Sequence, residues 1–307
     1  MTTLLSIICP VYNEQENLAP FLNRALKALE SQSIDLEIIF VNDGSEDQTL
    51  DTLTLLKEKH PEITILNLSR NFGKEAALTA GLEYARGDIV IPIDVDLQDP
   101  PELIPQLIKK WQDGFDIVLA KRSDRSSDTA IKKMSAEWFY KLHGKLSKTT
   151  IPENCGDYRL MSREVIAAVN QLPENQRFMK GIFAWVGFKT TTVEYVREPR
   201  ATGKTKFSLW KLWNLALEGI TSFSTVPLRI WLYVGFLIAG LAFIYGGIIL
   251  VKTLFFGIDV PGYASTLTSI LFLGGIQLIS IGTLGEYIGR VYMEVKNRPN
   301  YIIKNIL

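Results

Sequence analysis

Along the first 120 residues, short apolar runs rich in Val and Ile alternate with longer segments whose apolar positions recur every three or four residues. The short runs predict strands at Leu4–Val11, Leu36–Asn42, Ile63–Leu68, Asp88–Ile93 and Asp116–Leu119. The longer segments predict helices over Glu16–Glu30, Asp47–Lys59, Lys74–Tyr84 and Glu102–Trp111. Such alternation builds parallel βαβ units with right-handed crossovers. The expected fold class is therefore α/β, a Rossmann-like and mostly parallel sheet. Sheets of this type bind ligands beyond the carboxyl ends of their strands.

The pattern changes after residue 206. In Phe207–Pro227, Phe207, Trp210, Trp213, Leu217 and Ile220 recur at three- and four-residue steps, with Lys211 and Glu218 off that line. This predicts an amphipathic helix. Its two Trp and its place before an apolar run suit a membrane–water interface; packing on the soluble body is the other reading. From Ile230 to Val251 there are 22 residues without a charge, enough to cross ~30 Å of hydrocarbon. A second uncharged run, Val260–Gly285, turns at Pro261-Gly262 and predicts a span over Thr266–Gly285. The expected organisation is a cytoplasmic α/β domain over 1–206, an interface helix over 207–227, a two-helix transmembrane hairpin over 228–289 and a cytoplasmic tail over 290–307.

Charge refines this picture. With 33 Lys+Arg against 33 Asp+Glu, the chain lacks the basic excess of a nucleic-acid binder. Lys204, Lys206, Lys211 and Arg229 precede the two spans, and Arg290, Lys296, Arg298 and Lys304 follow them. The linker Lys252–Ser265 holds one Lys and one Asp. The positive-inside rule then places both termini in the cytoplasm, as expected of a multi-pass protein whose partner is the lipid bilayer of the cell membrane. The N-terminus shows no signal-peptide pattern. Gly235, Ala239 and Gly246, then Gly282, Gly285 and Gly289, put small residues along the spans, the last two as a GxxxG pair. Such faces predict packing between protomers in a homo-oligomer, or else service within the hairpin alone. Glu286 has Arg290 as its expected partner, four residues on.

Two Cys and two His leave little for a disulfide scaffold, a His-built zinc site or a Ser-His-Asp triad. There is no GxGxxG and no Walker A lysine motif. The strands end instead in Pro10-Val11-Tyr12-Asn13-Glu14, Asn42-Asp43-Gly44-Ser45 and Asp94-Val95-Asp96-Leu97-Gln98-Asp99-Pro100. Ser45 and Asp99 suit helix N-caps. Asp94 and Asp96, two residues apart beyond an apolar strand, would repel each other without a compensating cation. Oxygen-only ligands indicate Mg²⁺ or Mn²⁺, with substrate phosphate filling the remaining positions.

These motifs, with SRNFGK at Ser69–Lys74, resemble a family 2 glycosyltransferase of GT-A fold. NCGDYRLM at Asn154–Met161, RATGKTKFS at Arg200–Ser208, the two spans and GEYIGRVYMEVKNRPNY at Gly285–Tyr301 narrow the resemblance. The narrower group is the polyprenyl-phosphate glycosyltransferases, which includes enzymes like bactoprenol glucosyltransferase and dolichyl-phosphate-mannose synthase. The QxxRW motif of processive relatives is absent. The resemblance implies transfer of a hexose from a UDP-sugar to polyprenyl phosphate, with inversion; glucose is the first choice, ahead of 4-amino-4-deoxyarabinose derivatives, galactose and mannose.

It further implies a nucleotide-sugar site of Pro10, Tyr12, Glu14, Asp43, Lys74 and Asp94, with Tyr12 on the base and Asp43 accepting from the base edge. Asp96 and Gln98 would ligate the metal, with Asp94 beside them or toward the ribose. Asp157 matches the position assigned as catalytic base, so Asp157, Asp94 and Asp96 form the catalytic set. Arg122, Lys132, Lys133, Arg200 and Lys206 are candidates for phosphate or acceptor binding. Lys132 and Lys133 suit a solvated helix face equally, and the Arg200–Lys206 cations suit lipid headgroups. A phosphate monoester is largely dianionic at neutral pH, with a second pKa near ~6, so it can attack without a base. The competing functions are transfer to another lipid, whose hydroxyl would need a base, and non-catalytic binding of a sugar nucleotide.

Overall fold

The computed structural model describes residues 2–123, 152, 154–172, 174, 177–197, 226–256 and 262–307, apart from the side chains of several positions in the last two helices. The expected alternation forms as β1 (Thr3–Val11), α1 (Leu18–Leu29), β2 (Ile34–Asn42), α2 (Thr49–Lys59), β3 (Ile63–Leu68), α3 (Lys74–Tyr84), β4 (Ile89–Pro92), a 3₁₀ turn at Pro101–Leu103, α4 (Ile104–Gln112) and β5 (Ile117–Arg122). Beyond it come β6 (Cys155–Ser162), α5 (Arg163–Asn170), α6 (Met179–Trp185), β7 (Thr190–Tyr195), α7 (Val226–Phe256), α8 (Tyr263–Val295) and β8 (Ile303–Ile306).

The eight strands among the described residues share one sheet, ordered β7-β5-β6-β4-β1-β2-β3-β8. β1 pairs in parallel with both β2 and β4, and β2 with β3, so their carboxyl ends lie along one edge. β6 runs antiparallel between β4 and β5, which brings its own start, Cys155–Asp157, to that same edge. Apolar side chains fill both faces of the sheet. Leu5, Ile7, Phe40 and Ile91 pack with Phe21 and Leu22 of α1 and with Leu107 and Ile108 of α4. Ile8, Ile39, Val41 and Leu66 pack with Ala77 and Leu78 of α3 and with Val165 and Ile166 of α5. Strands buried on both faces read as continuous apolar runs, which is why β1 to β4 stand out in the sequence.

The C-terminal segment departs from the expected tail over 290–307. α8 continues to Val295, and β8 joins the sheet antiparallel to β3. Ile65 and Leu307 exchange two backbone hydrogen bonds (2.9 and 3.0 Å), and Ser69 N–H donates to Ile302 O (2.9 Å). Without β8, β3 would be an open edge with a row of unpaired amides and carbonyls. The Tyr301 hydroxyl adds a bond to Glu83 on α3.

α7 and α8 have 31 and 33 residues and are joined by a hydrogen bond from Trp231 Nε1 to Thr283 Oγ1 (3.0 Å). Among the described residues no helix is long and apolar enough to cross a membrane, so the two spans rest on the full sequence. Glu286 pairs with Arg290 as expected (3.0 Å). A Cβ on Gly235, Gly246, Gly282, Gly285 or Gly289 would meet nothing within 4 Å among the described residues. Of the expected interface helix over 207–227, residues 207–225 lie outside the described residues, and Val226 and Pro227 already belong to α7.

Candidate active site

The loop after β2 is shaped by Asp43. Its carboxylate accepts the backbone N–H groups of Phe72 (2.7 Å) and Gly73 (2.9 Å), tying the Ser69–Lys74 motif to the end of β2. Burial raises the Asp43 carboxyl above its ordinary value, against the lowering pull of these two bonds. Gly44 follows with φ +66°, and a Cβ there would lie 2.5 Å from backbone atoms of Arg70 and Asn71. Only glycine satisfies both the left-handed backbone and the close approach. Asp43 therefore builds the loop, a duty the sequence did not show, and its oxygens keep further lone pairs.

Ser45 does not cap α2. Its Oγ accepts the Asn13 N–H (3.0 Å), while the Asn13 Oδ1 accepts the Glu46 N–H (2.9 Å), so the loops after β1 and β2 are stitched together. The helix starts later, at Thr49. Glu14 closes the same loop by accepting from Asn17 Nδ2, beside the half-buried Pro10 and Tyr12. Asp99 does not act as a cap either. The 3₁₀ turn begins after Pro100, and Asp99 accepts the Tyr195 hydroxyl and faces Arg197 at 3.7 Å.

At the end of β4 the chemistry concentrates. Lys74 opens α3 and sets its ammonium against both Asp94 oxygens (2.7 and 2.8 Å) and Asp157 Oδ2 (3.0 Å). The cation expected beside Asp94 is thus supplied in part by the chain itself. Burial would lower the Lys74 pKa, but the two carboxylates outweigh it and hold the ammonium firmly charged. For Asp157, burial would raise the carboxyl, yet Lys74, Lys180 and Arg159 together hold it well below the usual carboxylate range. Arg159 is buried, donates to Gly156 O (2.7 Å) and stacks 4.4 Å over the Phe183 ring, fixing the start of β6 that carries Asp157.

Asp157 Oδ1 is buried with no hydrogen-bond partner among the described residues, an acceptor with unused lone pairs. Asp96 is buried, and its Oδ1 accepts the Gln98 N–H (3.2 Å). Between them Leu97 has φ +60°, as Asn13 (+56°) and Asn154 (+62°) have in the neighbouring loops. Left-handed backbone in a buried leucine is strained, and such strain gathers at functional sites.

Among the described residues no three His, Cys, Asp or Glu side chains gather into a self-sufficient metal site. Asp94, Asp96 and Gln98 offer two carboxylates and an amide on one turn. That oxygen-only, under-filled set fits Mg²⁺ or Mn²⁺ completed by substrate phosphates.

Arg122 ends β5 on the far side of Asp157, with its Nε donating to the Tyr195 hydroxyl (3.4 Å) and its backbone N–H to Asn154 O (3.1 Å). The structure thus brings Asp43, Lys74, Asp94, Asp96, Gln98, Asp157 and Arg122 to one edge of the sheet. Lys132, Lys133, Arg200 and Lys206 lie outside the described residues. Sequence reasoning missed Glu75, Arg159, Lys180 and Tyr195. A polar residue beside a motif lysine was the available signal for Glu75.

Glu75 accepts the Met179 N–H (3.3 Å), and burial first, then the Asp157 charge, push its carboxyl up to about 7. An acid whose native value lies above its ordinary 4.5 holds its proton in the folded state after the unfolded chain has released it. Stability from this group therefore falls as pH rises from about 4.5 to 7. Glu75→Gln is expected to remove that slope, leaving the variant melting a few degrees above the wild type at pH 7.5 relative to their difference at pH 5. Thermal unfolding at the two pH values checks this; parallel pH dependence in both proteins would contradict it.

Residues 6–169 match glycosyl transferase family 2, and residues 226–291 match the GtrB C-terminal hairpin. The SfII prophage-derived bactoprenol glucosyl transferase of Shigella flexneri is 58% identical over 98% of this chain and 97% of its own. The prophage bactoprenol glucosyl transferase homolog of Escherichia coli (strain K12) is 58% identical over 98% of this chain and 99% of its own. A solved structure of glucosyl-3-phosphoglycerate synthase from Mycobacterium tuberculosis, in complex with Mn²⁺, UDP and phosphoglyceric acid, shares the fold. Its TM-score is 0.50 at 22% identity, over 71% of this chain and 76% of that one. Carboxylates at the ends of β4 and β6, a sheet of this topology and a matching hairpin agree with one another: the chain is a glycosyltransferase and belongs to family 2, within the group that carries the GtrB C-terminal hairpin.

Proposed function

We propose that the protein transfers glucose from UDP-glucose to polyprenyl phosphate at the cytoplasmic face of the cell membrane, with inversion and with a divalent cation. The observation that carries this reading is Asp157. It is held ionised beside Lys74 at the sheet edge and keeps one buried oxygen without a hydrogen-bond partner among the described residues. A carboxylate held so far below its ordinary range is a poor proton acceptor, which disfavours a hydroxyl acceptor and suits a phosphate that arrives already deprotonated. The relatives named for bactoprenol glucosyl transfer support the sugar and the acceptor.

The acceptor oxygen attacks the anomeric carbon, the bond from that carbon to the nucleotide diphosphate breaks, and the electron pair leaves with UDP. Attack opposite the leaving group inverts the centre. Tyr12 and Asp43 hold the base, Asp157 orients the sugar through Oδ1, and Arg122 meets the acceptor phosphate. Asp96, Gln98 and Asp94 would hold Mg²⁺ or Mn²⁺, which neutralises charge on the departing diphosphate. Catalysis is then positioning and charge control.

The reading extends to the hairpin. Ile230–Val251 carries no charge, and Phe236, Leu237, Leu241 and Ile244 are at least 60% exposed, apolar faces that lipid would cover. The GxxxG pair Gly285 and Gly289, whose Cβ positions meet nothing among the described residues, supports packing between protomers of a homo-oligomer.

Purified full-length protein with labelled UDP-glucose, MgCl₂ and undecaprenyl phosphate is expected to form an acid-labile glycolipid, and diacylglycerol is expected not to replace the acceptor. Absence of product with every common UDP-hexose would overturn the reading, and product on diacylglycerol alone would favour the hydroxyl-acceptor alternative.

A further inference from the structure

Three asparagines stand at one level across three neighbouring strands at the carboxyl edge of the sheet. Asn42 is the register partner of Asn67, and Asn67 that of Asn305. Their amides form a single directed chain. Ser45 N–H donates to Asn42 Oδ1 (3.2 Å), Asn42 Nδ2 to Asn67 Oδ1 (2.9 Å), and Asn67 Nδ2 to Asn305 Oδ1 (2.8 Å). Asn42 and Asn67 are buried. An amide fixed at both ends cannot flip without losing both bonds. The Asn305 oxygen therefore sets the orientation of Asn67, which sets that of Asn42, which holds the Ser45 backbone.

Ser45 in turn accepts the Asn13 N–H, and Asn13 accepts from Glu46. The chain thus ends on the two loops that carry Tyr12, Asn13 and Asp43. At its other end, Asn305 sits on β8, which begins eight residues after α8 closes. Its neighbour Tyr301 holds Glu83 on α3, the helix that opens with Lys74.

We propose that Asn305 is a positioning residue for the nucleotide site: the C-terminal strand, arriving directly from the hairpin, sets the conformation of the donor loops through the asparagine chain. The inference rests on the donor-site reading above. It gives the segment after α8 a catalytic consequence, since the donor site is complete only when β8 is docked.

The test uses the full-length protein and UDP with MgCl₂ as the binding probe, alongside initial-rate kinetics. Asn305→Ala removes the acceptor oxygen and is expected to weaken UDP binding and raise the donor KM by roughly tenfold, with kcat within about twofold. Asn305→Asp keeps that oxygen and is expected to lie within about threefold of the wild type. A merely structural role would lower the active fraction or kcat and leave KM unchanged; that result overturns the proposal, as does Asn305→Asp behaving like Asn305→Ala. Asp43→Ala separates the two readings. If it weakens UDP binding and Asn305→Ala does not, the positioning role fails alone. If Asp43→Ala leaves UDP binding intact, the donor-site reading fails and the inference falls with it.

Discussion

Asp96→Asn is expected to lower sugar transfer at least about a thousandfold and to abolish the Mg²⁺ dependence of UDP binding. Of the two carboxylates after β4, Asp94 has both oxygens on the Lys74 ammonium, so its charge is already matched by the chain. Asp96 is buried on the same turn, held by the Gln98 N–H. A hard divalent cation bound by one or two carboxylates and the substrate phosphates loses much of its protein attraction when one negative ligand becomes neutral. Asparagine keeps the shape and can still accept the Gln98 N–H, so the fold and the strained Leu97 backbone are expected to survive. Transfer assays and UDP titrations with and without MgCl₂ read the two effects. Near-normal transfer in Mg²⁺ would remove the metal assignment and leave Lys74 as the main cation at the diphosphate.

The parallel half of the sheet was legible because both of its faces are buried. β3 and α3 fall on their expected bounds, and the other early strands and helices differ from theirs by a few residues at their ends. End differences follow local bonding: α1 starts at Leu18 because Glu14 and Asn17 bond each other before it. The carboxylates after the strands were legible too, since their position beyond an apolar run already fixes the sheet edge. What joins them was not. Lys74 reaches Asp157 across 83 positions of chain, and only the insertion of β6 beside β4 brings them together. Asp43 looked like a ligand-facing group, yet both its oxygens hold the Phe72 and Gly73 amides, a local geometry that residue type does not announce. β8 is four residues of mixed polarity, too short for a periodic signal, and it becomes a strand because β3 offers an unpaired edge.

Asp157→Asn is expected to cut kcat about a hundred- to a thousandfold while UDP affinity stays within about threefold. The contacts proposed for the base lie after β1 and β2, whereas Asp157 lies near the start of β6, with one oxygen on Lys74 and the other buried with no hydrogen-bond partner among the described residues. Loss of its charge acts twice on the reacting centre. Oδ1 no longer accepts from the sugar as an anion, and Lys74, relieved of one carboxylate, binds Asp94 harder and competes for the group beside the diphosphate. Neither change touches the base. Because neighbouring cations hold the Asp157 carboxyl well below its ordinary range, the wild-type kcat is expected to show no acid limb from this group down to about pH 5. A wild-type limb between pH 5 and 7 that vanishes in Asp157→Asn would instead make the residue a titrating base. Equal losses of kcat and UDP affinity would move it into the donor-binding machinery, and a parallel fall in thermal stability would mark it as a support of the start of β6 alone.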